Sequence, residues 1–273
     1  MLRRPFHPPA GGGANCRRDR IRLWARRRAE NVSWQEEYMQ RFYLSRPRWR
    51  GGTEEFWELI RSHVPPQSEV LELGCGPSNP TSQFLSESFP CVDGLDVDDT
   101  SRRNRHLRCA YVYDGGCFPI QDAAYDAVVC NYVLEHVENP TQTVREVRRV
   151  LREGGVFVFR TPNRWHYVPL ISRLTPHWFH ERFANRLRNL SEEAEAPCPT
   201  FYRMNSLSTI GKLLTAEGFE RREMRTIEKE PSYGMSARAL FLLFMLYERI
   251  ANSTEKLSVM RSNILGAFRK PYR

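Results

Sequence analysis

The stretch Val70-Leu71-Glu72-Leu73-Gly74-Cys75-Gly76-Pro77 carries the most readable chemistry in this chain. An apolar run delivers the backbone to two glycines separated by one residue, and a helix start follows. Glycines at such a turn let the main chain approach a ligand closely, and the amides at a helix N-terminus favour polar or anionic groups. A loop of this kind could cradle a dinucleotide. That use wants a third glycine three residues after the second, where this chain has Asn79, and an acid at Glu72 is no part of the dinucleotide fingerprint. Further groups able to hydrogen-bond or move a proton follow at Asp96, Asp114, Asn131 and His136. The seven cysteines contain no C-x-x-C pair, so neither a zinc site nor a disulfide framework is expected, and no metal is expected elsewhere.

The surrounding pattern supplies elements to position these residues. Short apolar runs read as strands over 69–73, 91–96, 107–112, 125–130, 156–160, 219–229 and 258–268. Helical spacing is seen over 34–43, 53–63, 81–88, 140–151, 206–217 and 236–250. Thr53 is expected to cap the second of these helices, and Gly154-Gly155 to end the 140–151 helix. Alternation of strand and helix from Glu69 onward predicts an α/β fold: a Rossmann-like, seven-stranded, mostly parallel sheet with helices on both faces and an antiparallel last strand. The expected organisation is a disordered basic extension over 1–30, a helical lid over 31–66, and a main domain over 67–273 with an insertion at 164–203.

Taken in order, the motifs resemble the class I S-adenosylmethionine (SAM)-dependent methyltransferases, particularly the small-molecule group that includes quinone-biosynthesis enzymes. The resemblance rests on five matches between Glu69 and Asn163. They are Glu72 with Gly74 and Gly76; Asp96 ending the second strand; Asp114 in Tyr113-Asp114-Gly115; Tyr125-Asp126 opening the fourth strand; and Leu151-Arg152-Glu153-Gly154-Gly155 followed by Thr161-Pro162-Asn163. What this implies is a SAM cofactor, with Gly74, Cys75 and Gly76 passing their backbone beside its methionine portion and Glu72 supporting the ammonium. Asp96 would accept from the ribose hydroxyls, at about the 20-residue spacing from the glycine loop that a ribose acid needs. Asp114 would accept from the adenine amino group, with the Gly115 amide near a ring nitrogen. Asn131 would face the methyl-bearing end, where open parallel sheets bind ligands. His136 is the candidate general base, needed only if the acceptor must lose a proton.

The implied function is methyl transfer by in-line displacement to a small acceptor, hydrophobic ones included. Tyr167, His177, His180, Tyr202 and Arg203, in the 164–203 segment, are the candidate substrate-facing residues. Two alternatives stay open: an RNA methyltransferase recruited by a basic tail, and a non-catalytic SAM-fold interaction protein. Residues 1–30 hold nine arginines against two acids, a net of +7 within a chain total of +9. The folded part is therefore nearly neutral, and nucleic acid is not an expected partner of its site. The helix over 236–250 is apolar nearly all round, which suits either burial or peripheral contact with a membrane surface. An odd cysteine count and the lack of an apolar leader predict a soluble, cytoplasmic chain.

Overall fold

The computed structural model describes residues 33–174, 199–231 and 234–272. Its contacts divide the chain into two compact units, with the break between Trp49 and Arg50. In the first unit, Trp34–Met39 form a helix (α1) that continues as a π-helical turn over Gln40–Leu44. Ser33 caps it: its hydroxyl accepts from the Glu36 amide at 3.3 Å, and the Glu36 carboxylate accepts from the Ser33 amide at 2.9 Å. Trp34, Tyr38 and Phe42 stand four residues apart and meet edge to face, so the aromatic spacing read from the sequence is one helical stripe.

The second unit holds seven strands: β1 (Glu69–Leu73), β2 (Cys91–Asp96), β3 (Cys109–Val112), β4 (Tyr125–Asn131), β5 (Leu151–Pro162), β6 (Glu220–Ile227) and β7 (Asn263–Arg269). They form one sheet in the order β3-β2-β1-β4-β5-β7-β6. Every pairing is parallel except the two made by β7, which enters antiparallel between β5 and β6. The expected doubly covered α/β sheet with an antiparallel last strand is what the chain forms.

Helices cover both faces: α2 (Gly52–His63), α3 (Pro80–Ser88), α4 (Pro140–Val150) and α6 (Leu207–Ala216), with α5 (Tyr167–Leu174) and α7 (Arg238–Ala251) beyond the end of β5 and before β7. Side chains alternate along each strand, which splits the core in two. On one face Leu71, Leu73, Val128, Cys130, Phe157 and Phe159 meet Val144 and Val147 of α4 and Ile210 and Leu214 of α6. On the other, Val70, Ala127, Val129, Val156 and Val158 meet Phe56, Leu59 and Ile60 of α2 and Phe84 and Leu85 of α3. Each large side chain so buried contributes roughly 1.5–3 kcal/mol relative to exposure.

Three boundaries differ from the sequence reading. Gly154-Gly155 does not stop a helix; the helix ends at Val150, and the glycines lie within β5, whose pairing with β4 shifts register between Tyr125 and Ala127. The extra residues of a bulge need a backbone that can leave the ladder, and glycine allows it. Thr53 does not cap α2. Gly51 is the N-cap, with its amide bonded to the Glu54 carboxylate at 2.9 Å, and the Thr53 hydroxyl accepts from Arg160 instead. The run from Ser258 is not yet strand: Glu255–Met260 is a 3-10 turn, and β7 starts at Asn263. Buried Arg261 holds that turn through the Ala251 and Thr254 carbonyls and the Glu255 carboxylate.

Gly266 in β7 lies opposite Phe159 in β5, and a Cβ built there would sit 2.3 Å from the Phe159 ring. The ring cannot swing away, because it is fully buried and stacked on Phe268 at 6.0 Å. Gly266→Ala is therefore expected to lower unfolding stability by about 1–3 kcal/mol. Adding Phe159→Leu should return part of that loss; urea unfolding of the single and double variants checks it, and strictly additive losses would exclude the ring contact as the cause.

Candidate functional site

The candidate residues converge at the C-terminal ends of β1, β2, β4 and β5. Gly74 turns the chain out of β1 at φ +74°, its amide bonded to the Leu95 carbonyl at 2.7 Å. A Cβ there would lie 2.0 Å from Val133, so close packing as well as φ requires glycine. Gly76 also has a left-handed φ of +49°, but a Cβ on it would meet nothing within 4 Å, so backbone conformation alone selects it.

A buried polar network fixes this loop from below. Glu72 is nearly fully buried and accepts from the Ser82 hydroxyl at 2.6 Å. Ser82 Oγ in turn accepts from Asn79 Nδ2 and Asn104 Nδ2, each at 2.8 Å. The hydroxyl thus uses its one proton and both lone pairs. Asn79 also caps α3, its Oδ1 accepting from the Thr81 and Ser82 amides, while its Nδ2 holds the Cys75 carbonyl at 2.7 Å. Burial pushes the Glu72 carboxyl up to about 8, against the bonds from Ser82 and Asn79, with the charge of Asp96 adding to the rise. Cys75 contributes backbone only: its thiol is buried and pushed up to about 12 by desolvation.

Asp96 ends β2 with one carboxylate oxygen accepting from the Gly76 amide at 2.7 Å and the other from the Asp98 amide at 2.9 Å. Each oxygen keeps a lone pair for another donor. Asp98 caps the short helical turn Asp99–Arg103, so the two acids after Asp96 are turn formers. Asp114 is exposed and accepts from the Gly116 amide at 2.9 Å.

Asn131, at the end of β4, is held from both sides. Its Nδ2 donates to Thr81 Oγ1 at 2.9 Å, and its Oδ1 accepts from Arg160 Nε at 2.8 Å. Arg160 is buried, with its guanidinium 5.2 Å from the Phe56 ring centroid and 4.5 Å from that of Tyr132. Tyr132 has a φ of +58°, uncommon for a side chain of this size. Its amide bonds the Arg160 carbonyl and its hydroxyl bonds Asn263, which hold the conformation in place.

His136 Nδ1 lies 2.7 Å from the Pro199 carbonyl. A carbonyl can only accept, so Nδ1 carries the proton and Nε2 of the neutral ring is left as the acceptor. The Glu135 carbonyl accepts from the Phe201 and Tyr202 amides, and Arg203 donates to the Glu138 carbonyl. Tyr202 and Arg203 are thereby brought to the His136 turn. Tyr167 instead packs against α7, stacked on Phe244 at 5.4 Å and edge-on to Tyr247 at 4.8 Å. His177 and His180 lie outside the described residues. A separate cleft of about 380 Å³, lined by Asp122, Arg145, Arg149 and Lys270 among others, lies at the opposite end of the strands. Among the described residues no group of three potential metal ligands comes together.

Four supporting residues escaped the sequence reading: Thr81, Ser82, Asn104 and Arg160. Asn79-Pro80 was a legible helix-start signal, an Asx cap followed by proline at the first helical position, and it points to the residues just inside. Asn104 and Arg160 reach the site from 22 and 29 positions away, and nothing local marks them.

Residues 16–223 match a family model described as a methyltransferase domain. A Mycolicibacterium smegmatis protein named a probable S-adenosylmethionine-dependent methyltransferase is 38% identical over 124 residues, covering 43% of this chain and 46% of that one. A thiol S-methyltransferase of Mus musculus is 34% identical over 109 residues, covering 36% of this chain and 42% of that one. The chain thus spans less than half the length of either curated relative. Among solved structures, a SAM-dependent methyltransferase from Methanosarcina mazei superposes with a TM-score of 0.51 at 18% identity, over 79% of this chain and 98% of that one, a likeness of fold.

The buried Glu72 carboxyl has a measurable signature. Between its ordinary value of 4.5 and its folded value of about 8, the folded chain holds a proton that the unfolded chain releases. The associated stability is complete below pH 4.5 and is lost as pH rises through about 8. Relative to Glu72→Gln, the wild-type chain should lose on the order of 4 kcal/mol between pH 5 and pH 9 in urea unfolding. Parallel pH profiles for the two proteins would rule out the buried acid.

Proposed function

Because the chain belongs to the methyltransferase-domain family, we propose that it transfers a methyl group from SAM to a small, hydrophobic acceptor by in-line displacement. The junction of Asp96 with Gly76 carries this reading. One hydrogen bond of 2.7 Å joins the acid suited to a ribose diol to the glycine loop suited to a backbone-lined ligand. A nicotinamide dinucleotide would need the third glycine, and Asn79 occupies that place as a cap.

When bound, SAM supplies a methyl group on a cationic sulfur, already activated for displacement. Asp96 would accept from the ribose hydroxyls, and a charged acceptor makes such bonds stronger than neutral ones. Asp114 and the Gly115 amide address the adenine edge. Glu72 would hold the ammonium as a carboxylate, since a neighbouring positive charge favours the charged form. Asn131, clamped between Thr81 and Arg160, presents a fixed amide at the methyl-bearing end, and pre-set geometry of this kind lowers the barrier by orientation. His136 Nε2 takes a proton from the acceptor where one must leave.

Asp96→Ala should weaken SAM binding at least about tenfold by calorimetry, since a lost charged acceptor is worth about 1.5–3 kcal/mol; unchanged affinity would remove Asp96 from the site. The activity is tested by incubating the chain with labelled SAM and a fractionated cell extract, then identifying the methylated product by mass. Transfer to a small apolar compound is expected, and label found only in RNA or protein would overturn the acceptor class.

A further inference from the structure

We propose that the outer face of α7 docks on an anionic lipid bilayer, a role independent of the donor and reaction proposed above. Leu242, Leu243, Leu246 and Ile250 are 40, 58, 55 and 47% exposed. Their spacing puts them on one side of the helix. Val259, in the turn that follows, is 49% exposed and adds to the apolar surface. The opposite side is anchored. Phe241 is fully buried, Phe244 and Tyr247 pack on Tyr167, and the Tyr247 hydroxyl bonds the Met260 carbonyl. The leucines are therefore held outward by a fixed helix.

The charge around this face complements anionic headgroups. Arg238 at its start and Lys256 just beyond its end are exposed. The nearby acids are engaged: Glu248 is buried and pairs with Arg249, and Glu255 pairs with Arg261. An apolar face alone gives weak, reversible attachment, and cations flanking it make attachment depend on anionic lipid. A bilayer suits the face better than a protein does, because protein interfaces carry about one hydrogen bond per 100–200 Å², and the four exposed side chains offer none. Among the described residues no helix is long and apolar enough to cross a membrane, so contact through α7 lies in the plane of the interface.

The test is flotation of the full chain with vesicles of phosphatidylcholine, alone or with about 30 mol% phosphatidylglycerol. Wild-type protein should float with the anionic vesicles and be released by high salt. Leu242→Ser/Leu243→Ser/Leu246→Ser should cut the bound fraction at least about tenfold with circular dichroism unchanged. The single change Leu243→Asp, at the most exposed position of the stripe, serves if the triple variant unfolds. Equal flotation of the variants, or no binding of the wild type to anionic vesicles, overturns the proposal. So does a lipid-free dimer that the same substitutions dissociate, since a second copy would then own the face.

Discussion

A carboxyl group taken out of water organises the candidate site. Glu72 sits on the face of β1 that α3 covers, and its short hydrogen bond there comes from Ser82. That bond draws the first turn of α3 against the strand and, through the two amides converging on Ser82 Oγ, ties in Asn79 and Asn104. Asn79 and Asn104 then grip the Cys75 carbonyl, at 2.7 and 3.3 Å. The left-handed backbone at Gly74 and Gly76 is therefore held from beneath by side chains, while the Gly74 and Gly76 amides are tied to the Leu95 carbonyl and the Asp96 carboxylate. The cost of burying Glu72 is the source of its raised proton affinity.

The end of β4 is built differently. No carboxylate pairs with the buried Arg160 within ion-pair distance among the described residues. Its charge is held by two aromatic faces, the Asn131 amide oxygen and the Thr53 hydroxyl. This chain of contacts crosses from α3 through β4 and β5 to α2, so the orientation of Asn131 depends on three elements that do not adjoin in sequence. The turn carrying His136 is joined to residues 199–203 by four backbone-directed bonds. The orientation of the candidate base is in this way coupled to the segment where acceptor recognition is expected.

Much of this was readable from the residues in order. The glycine loop, Asp96, Asp114 and the strand–helix alternation are local signals: a strand end, a left-handed turn and a helix start each leave a mark within a few residues. The errors have a common origin. Gly154-Gly155 sits where both a helix stop and a strand bulge are locally acceptable, and only pairing with β4 decides. Thr53 is a good cap in isolation, but Glu54 satisfies the Gly51 amide and Arg160 claims the hydroxyl. The start of β7 is delayed by Arg261, whose partners come from the end of α7 and the turn after it. Asn104 and Arg160 carried no local signal, since their partners are set by tertiary packing alone.

The placement of β7 also constrains the order in which the chain can acquire its structure. β5 and β6 never pair with each other; β7, which is made after both, joins them. During synthesis the β1–β4–β5 core can close early, because all three strands precede β6 and β7 in the chain. β5 then presents an unpaired edge with Phe157 and Phe159 beside it until residues 263–269 emerge and insert. An open apolar edge is a template for pairing with other chains. The last-made strand is thus what removes the aggregation-prone intermediate, and slow completion of this segment would expose the protein to misassembly even though every element of the glycine loop had already folded.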